Sequence, residues 1–289
     1  MFSNKARREF LVVFCLLLLL PDWDGRSQNP QNLPVYLQDR GTGVPTSMFG
    51  TYIRGGELLI YPFFEYYYDK DAEYAPSDFG YDLDRDFRGK YTATEGLIFL
   101  GYGITDRLII EVEAAVISAT QNRAGDDNSG MPEKIEESGL GDVQTQFDYY
   151  WLKESNSRPG AFSYFEIVYP FNKDKELIGT ADWEFKGGTG IIRGFGWGTI
   201  SIRGALEYNK SEDKFEIGEI AVDYLKRLSN IWRVYAGIEG TQDEVELITE
   251  AQLHLSRRVF IKFNNAFGIS SKATGWAPEI GVMFSFNGR

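Results

Sequence analysis

From residue 56 to the C-terminus, apolar and polar side chains alternate in twelve segments. They run approximately 56–69, 91–104, 107–119, 140–153, 160–171, 180–194, 198–209, 214–227, 231–241, 244–256, 258–270 and 274–286. Successive side chains of a β-strand point to opposite faces, so a period of two predicts strands. In RLIIEVEAAVIS (107–118), Leu108, Ile110, Val112, Ala114 and Val116 share one face, and Glu111 and Glu113 share the other. In VQTQFDYYW, Val143, Thr145, Phe147, Tyr149 and Trp151 oppose Gln144, Gln146, Asp148 and Tyr150. Buried, unpaired carboxylates are costly in a soluble core. One face therefore meets oil, while the other accepts water or ion partners.

Segment length says which oil. Each segment spans about 11 to 15 residues, beyond the roughly five or six usual in globular sheets. A tilted strand crosses a bilayer in about 9 to 11. Links after even-numbered segments are short: Thr105-Asp106, residues 154–159, Gly196-Trp197, Ser229-Asn230 and Arg257-Arg258. Those after the first and third are long, near 70–90 and 120–139. Short turns on one side, longer loops on the other and an even strand count define outer-membrane barrels. The prediction is an all-β, transmembrane, antiparallel up-and-down β-barrel of about 12 strands over residues 56–289. A secreted β-sandwich is the soluble rival, but its strands would be shorter.

The N-terminus begins MFSNKARREF and continues into an apolar run to Leu20. A basic start followed by a short oily stretch predicts a secretory signal peptide over 1–27. RREFL also resembles a twin-arginine signal, although the greasy run favours general secretion. Cys15 is the only cysteine of the chain and falls in that run. Disulfides, thiolate catalysis and cysteine metal sites are thereby excluded from a processed chain. After residue 20 no apolar run reaches the roughly 20 residues of a membrane helix.

Aromatics fall where interface belts belong. Tyr149, Trp151, Tyr224, Trp232, Phe284 and Phe286 sit near the short-turn ends, and Tyr66, Tyr68, Tyr169, Trp183, Tyr208 and Trp276 near the long-loop ends. A net charge of -12 excludes nucleic acid, whose phosphates require basic clusters. The polar faces would line the lumen with Glu111, Glu113, Gln144, Gln146, Asp148, Glu166, Glu207, Glu219, Asp223, Glu239, Glu246, Glu250 and Glu279, among Arg203, Arg233 and Lys262. Such a lining is either a salt-bridged filling or a narrow, cation-tolerant passage.

Other chemistry is sparse. His254, the only histidine, shares a face with Ser256. A serine nucleophile needs a base oriented by a third group. No orienting amide is evident here, so the pair reads as lumen or rim rather than catalytic. Asp82, Asp84 and Asp86 resemble the start of a calcium loop without its Gly and distal Glu. They read as solvated, with weak divalent bridging to lipopolysaccharide as the alternative. No metal site and no cofactor are expected.

FLGYGITDRLIIEVEAAV (99–116) and ESGLGDVQTQFDYYWLK (137–153) resemble the meta-pathway phenol-degradation family of outer-membrane proteins. Tyr102, Gly103, Ile104 and Thr105 match its turn into an acidic alternating strand, and Gly139, Gly141 and Asp142 match the start of the next. The resemblance implies a barrel handling aromatic or other hydrophobic small molecules, and no catalytic residues.

Two further expectations concern the lumen and the wall. Residues 28–55 carry several prolines and glycines and form either a flexible periplasmic tail or a segment folded into the lumen. Pro62 and Pro278 lie in the first and last strands, which must pair to close the barrel. Proline cannot donate to a ladder, so the two mark either bulges or a lateral opening at similar heights. The reading is a monomeric outer-membrane channel or transporter for small hydrophobic compounds. Its partners are outer-membrane lipid, lipopolysaccharide, the barrel-assembly machinery and a small-molecule solute. A closed structural or adhesive barrel is the rival, and a lipid-modifying enzyme comes third.

Overall fold

The computed structural model describes residues 32–210, 213–241 and 244–287. The leader expected at 1–27, Cys15 included, lies outside the described residues. A short ribbon comes first, β1 (Val44–Pro45) against β2 (Tyr52–Ile53). The barrel strands are β3 (Glu57–Tyr74), β4 (Phe87–Gly103), β5 (Leu108–Asn122), β6 (Lys134–Leu152), β7 (Gly160–Tyr169), β8 (Glu184–Phe195), β9 (Gly198–Asn209), β10 (Lys214–Arg227), β11 (Trp232–Gly240), β12 (Val245–His254), β13 (Val259–Gly268) and β14 (Trp276–Asn287). They form a closed barrel in chain order, with β14 antiparallel to β3. This is the predicted twelve-stranded all-β fold.

Alternation decides which face goes where. Val116, Leu206, Ile220 and Ile280 are at least half exposed on the outside, while Glu111, Asp148, Glu250 and Lys262 are buried within. The sheet wears an apolar coat over a charged interior, as a bilayer solvent requires. Aromatics gather at both ends of the coat. Tyr149 meets Trp151 edge-on at 4.5 Å, and Phe195, Trp197 and Tyr224 stack in series. At the long-loop end Trp276 packs against Tyr66 and Tyr68, and Tyr169, Trp183, Phe185, Tyr208 and Phe215 form a continuous row.

The early strands outrun their predicted limits. β3, β4 and β6 are 18, 17 and 19 residues long. Much of the expected 70–90 loop is a strand extension, paired up to Tyr74↔Phe87. The extension is held by Tyr74, Phe87, Ala124 and Met131, which bury one another beyond the membrane belt. A polar strand continues as long as its ladder and a satellite core support it, and alternation against lipid does not report that.

Depth within the coat sets the cost of charge. Ile220→Arg, near the middle of β10, is expected to destabilise the barrel by about 2–4 kcal/mol, whereas Phe215→Arg near its long-loop end costs about 0–1. Urea unfolding from lipid vesicles measures both. Equal, small effects would mean that this face does not contact hydrocarbon.

Candidate functional site

The interior is occupied by the chain's own N-terminal segment. A 3-10 turn at Val35–Leu37 lies against β8, and the β1–β2 ribbon packs in the barrel core, where Val44 and Ile53 are fully buried beside Leu59, Tyr61 and Phe99. Two wall glycines allow this approach. A Cβ on Gly194 would stand 1.9 Å from the Tyr36 carbonyl oxygen, and one on Gly103 would stand 1.9 Å from that of Arg54. Any larger residue at either position would collide with the segment's backbone.

Polar contacts hold the segment. Arg40 donates to Glu154, both side chains being 1% exposed. The other Glu154 oxygen accepts the Gly194 N–H at 3.0 Å. Asp39 accepts the Arg227 backbone N–H at 2.9 Å. Ser47 donates both its N–H (3.0 Å) and its hydroxyl to Glu111. Lys262, 2.8 Å from Glu250, donates to the Phe49 carbonyl at 3.2 Å. The Phe49 ring stacks on Tyr235 at 5.3 Å, with the Arg203 guanidinium over it at 5.6 Å. The carboxylate and ammonium that look anomalous in their strands, Glu111 and Lys262, are thus anchors for residues 47–49.

The remaining wall charges pair mostly along the wall. Arg203 on β9 meets Glu219 (2.6 Å) and Asp223 (2.7 Å) on β10 and Glu239 (2.6 Å) on β11. Lys186 faces Glu166 at 3.4 Å, Gln144 donates to Glu113 at 3.0 Å, and Gln146 donates to Asp148 at 2.7 Å. Glu279 accepts from Tyr61 and Asn264. Among the described residues, every ion pair inside the barrel that does not involve the N-terminal segment joins nearby strands. What crosses the lumen is the segment, not a wall-to-wall bridge.

Space is left on both sides of it. Towards the long-loop end, a cavity of about 350 Å³ is lined by Glu65, Glu95, Glu113, Glu239, Glu246 and Glu279 with Phe63 and Tyr67. A second, of about 280 Å³, adds Glu166, Glu184 and Glu207 opposite Lys186. Towards the short turns, a cavity of about 520 Å³ is lined by Arg40, Arg54, Arg227, Arg233, Arg257 and His254, with Glu57 its lone carboxylate. The lumen is acidic above the segment and basic below it.

The closing seam is continuous in register. Trp276↔Tyr68, Glu279–Gly281↔Glu65–Phe63 and Phe284–Asn287↔Ile60–Glu57 all share one offset. The ladder skips the steps at each proline and resumes unshifted, so neither proline makes a bulge there. Pro278 stands in register with Tyr66, four positions from Pro62, and the two are therefore not level. Each proline pairs normally on its other side, Pro62 with Ile98 and Pro278 with Asn265.

His254 and Ser256 are not hydrogen-bonded to each other. His254 stacks on Phe260 at 4.8 Å, while the Ser256 hydroxyl oxygen accepts the Arg258 and Val259 N–H groups of its own turn, each at 3.1 Å. Asp82, Asp84 and Asp86 are exposed in the first loop. No His/Cys/Asp/Glu group among the described residues is arranged to hold a metal.

The two short motifs have structural tasks. The Gly103 carbonyl accepts the Gly56 N–H at 2.7 Å, and the Thr105 hydroxyl accepts the Arg107 and Leu108 N–H groups. The motif thus docks the exit of the N-terminal segment and closes the β4–β5 turn. Gly139 has φ +150° beside the shift in β5–β6 pairing, and Asp142 receives the Phe171 and Thr180 N–H groups at 2.9 and 2.5 Å. Arg40, Ser47, Phe49 and Glu154, which carry much of the site, lie in stretches without periodicity and gave no sequence signal. The inward placement of Glu65, Glu95 and Lys186 follows from alternation alone.

The fold is that of an outer-membrane β-barrel. An outer membrane channel from Pseudomonas putida F1 superposes with a TM-score of 0.61 at 12% identity, over 84% of this chain and all of that one. The translocator domain of the autotransporter NalP from Neisseria meningitidis gives 0.47 at 8% identity, over 81% and 90% of the two chains. The Ralstonia pickettii toluene transporter TbuX gives 0.44 at 9%, over 82% and 90%. No protein-family model matches the chain, and no curated protein matches it in sequence. The closed barrel with its outward apolar coat is the architecture of an outer-membrane protein.

Removing one partner of a buried ion pair costs about 3–5 kcal/mol, so Glu154→Gln is expected to release residues 32–53 from the wall. Limited trypsin digestion of the inserted protein checks this. Cleavage after Arg40 should appear in the variant and not in the parent chain.

Proposed function

We propose that the chain is a monomeric outer-membrane channel or transporter for small hydrophobic or aromatic compounds, closed at rest by its own residues 34–53. The short turns are periplasmic and the long loops extracellular. The observation that carries the proposal is the manner of closure. A lumen meant to stay shut would be packed or bridged from wall to wall. Here sizeable cavities flank a single segment held by a few polar anchors, an arrangement that can open without breaking the barrel. The resemblance of residues 99–116 and 137–153 to the phenol-degradation family supports aromatic solutes, and Phe63 and Tyr67 among the carboxylates offer such rings a surface.

Conductance in planar bilayers tests the closure. The full chain should give small or rare openings. Deletion of residues 34–53 should give a steady conductance that prefers cations, because most carboxylates of the upper lumen lack a basic neighbour. A deletion variant that inserts and remains silent would favour the closed structural barrel.

The closing seam offers a hydrophobic solute a sideways exit to lipid, since the proline steps lack ladder donors on that side. Phe64 and Ile280 are directly opposite between the two interruptions and face outward. A disulfide between Phe64→Cys and Ile280→Cys should reduce uptake of a neutral aromatic such as toluene several-fold and leave ion conductance unchanged. Undiminished uptake would exclude the seam as a route.

A further inference from the structure

The geometry points to a binding site for a small aromatic carboxylate in the lower cavity, built on Arg233 and Arg227. Arg233 is 5% exposed, yet among the described residues it has no ion pair, and its Nε has no hydrogen-bond partner. Its guanidinium carbon lies 5.8 Å from the centre of the Phe260 ring. A buried cation without a counter-charge is strongly unfavourable, and the next strand makes matters worse. Arg227 on β10 stands directly opposite Arg233 on β11, the cross-strand position at which like charges repel most.

The nearby acids are already engaged. Asp39 serves the Arg227 N–H and Lys226, Glu250 serves Lys262, Glu154 serves Arg40 and Arg193, and Glu57 serves Arg54 and Ser285. Arg227 spends its Nε on the Gln38 carbonyl at 3.1 Å, leaving its terminal nitrogens for another acceptor. A further donor comes from His254, whose Nε2 is buried and unpartnered and donates when that nitrogen carries the proton. Two guanidinium groups and an imidazole around one space describe a receptor for a carboxylate, which guanidinium binds through parallel hydrogen bonds.

The rest of the cavity supplies the apolar half. Phe260 contacts both the His254 ring and the Arg233 guanidinium, and Leu59 and Leu255 complete an oily wall. The volume, about 520 Å³, lies in the range of small-molecule sites, about 300–1,000 Å³. Inorganic anions would satisfy the arginines and leave this wall wet, whereas a flat ring bearing one carboxylate satisfies both. The site does not depend on passage through the barrel, because its cavity opens below the segment that closes the lumen.

Isothermal titration of the detergent-solubilised full chain with benzoate, benzamide and inorganic phosphate at low salt tests the assignment. Benzoate should bind saturably, at least tenfold more tightly than either of the others. Arg233→Met should lose tenfold or more in benzoate affinity while melting higher than the parent chain without ligand, because it removes an uncompensated charge. A merely structural arginine would lower the melting point instead. Arg227→Gln serves as the second variant if the first does not give a folded, heat-modifiable band, and it should weaken benzoate by a similar factor. No saturable benzoate binding, equal binding of benzamide or phosphate, or unchanged affinity in the folded variant would each overturn the site. None of these readouts involves conductance, so the site and the channel stand or fall separately.

Discussion

Within hydrocarbon every backbone N–H and C=O must find a partner in the protein, since none is available from solvent. A sheet satisfies that condition only by closing, and the pairing of β14 with β3 closes this one. The apolar coat, the two aromatic rows and the seclusion of charge within all follow once no free edge remains. The same condition limits how much damage the seam can bear. Proline steps interrupt it twice, yet the pairs between and beyond them keep one offset, so the interruptions remain local.

Closure creates an interior that lipid cannot reach and water only partly fills. Side chains there are free to be charged, and several of the charges find company. Arg203 gathers three carboxylates from the two following strands, and Lys262 sits between Glu250 and a carbonyl of the N-terminal segment. These pairings divide the labour. Clusters on neighbouring strands stiffen the wall, while Glu111, Glu154 and Lys262 reach inward and hold the segment. The segment in turn separates an acidic upper lumen from a basic lower one, so the sign of the field reverses across it.

Much of this was legible along the chain. Period-two alternation in long segments, short links alternating with longer ones and aromatics at segment ends are local consequences of a flat boundary between oil and water. Each of the twelve segments records that boundary independently, which is why the strand count, the closed fold and the inward side of Glu111, Asp148 or Arg203 could be read residue by residue. The boundary ends where the membrane does. Beyond it, the extensions of β3, β4 and β6 depend on the cluster of Tyr74, Phe87, Ala124 and Met131, whose members are up to 57 residues apart in sequence.

What only the tertiary structure decided is who meets whom across the lumen. Arg40 finds Glu154, Ser47 finds Glu111 and Phe49 finds Tyr235, contacts between an aperiodic segment and wall residues roughly 60 to 190 positions away. No repeat announces such pairs, because they depend on how a closed wall curves around whatever lies inside it. The relative height of Pro62 and Pro278 likewise follows from the shear of the closed barrel, which single strands do not carry. Arg227 and Arg233 show both halves of the lesson. Alternation turns Arg233 toward the lumen, but its opposition to Arg227, and its lack of an ion pair among the described residues, exist only once the strands are paired.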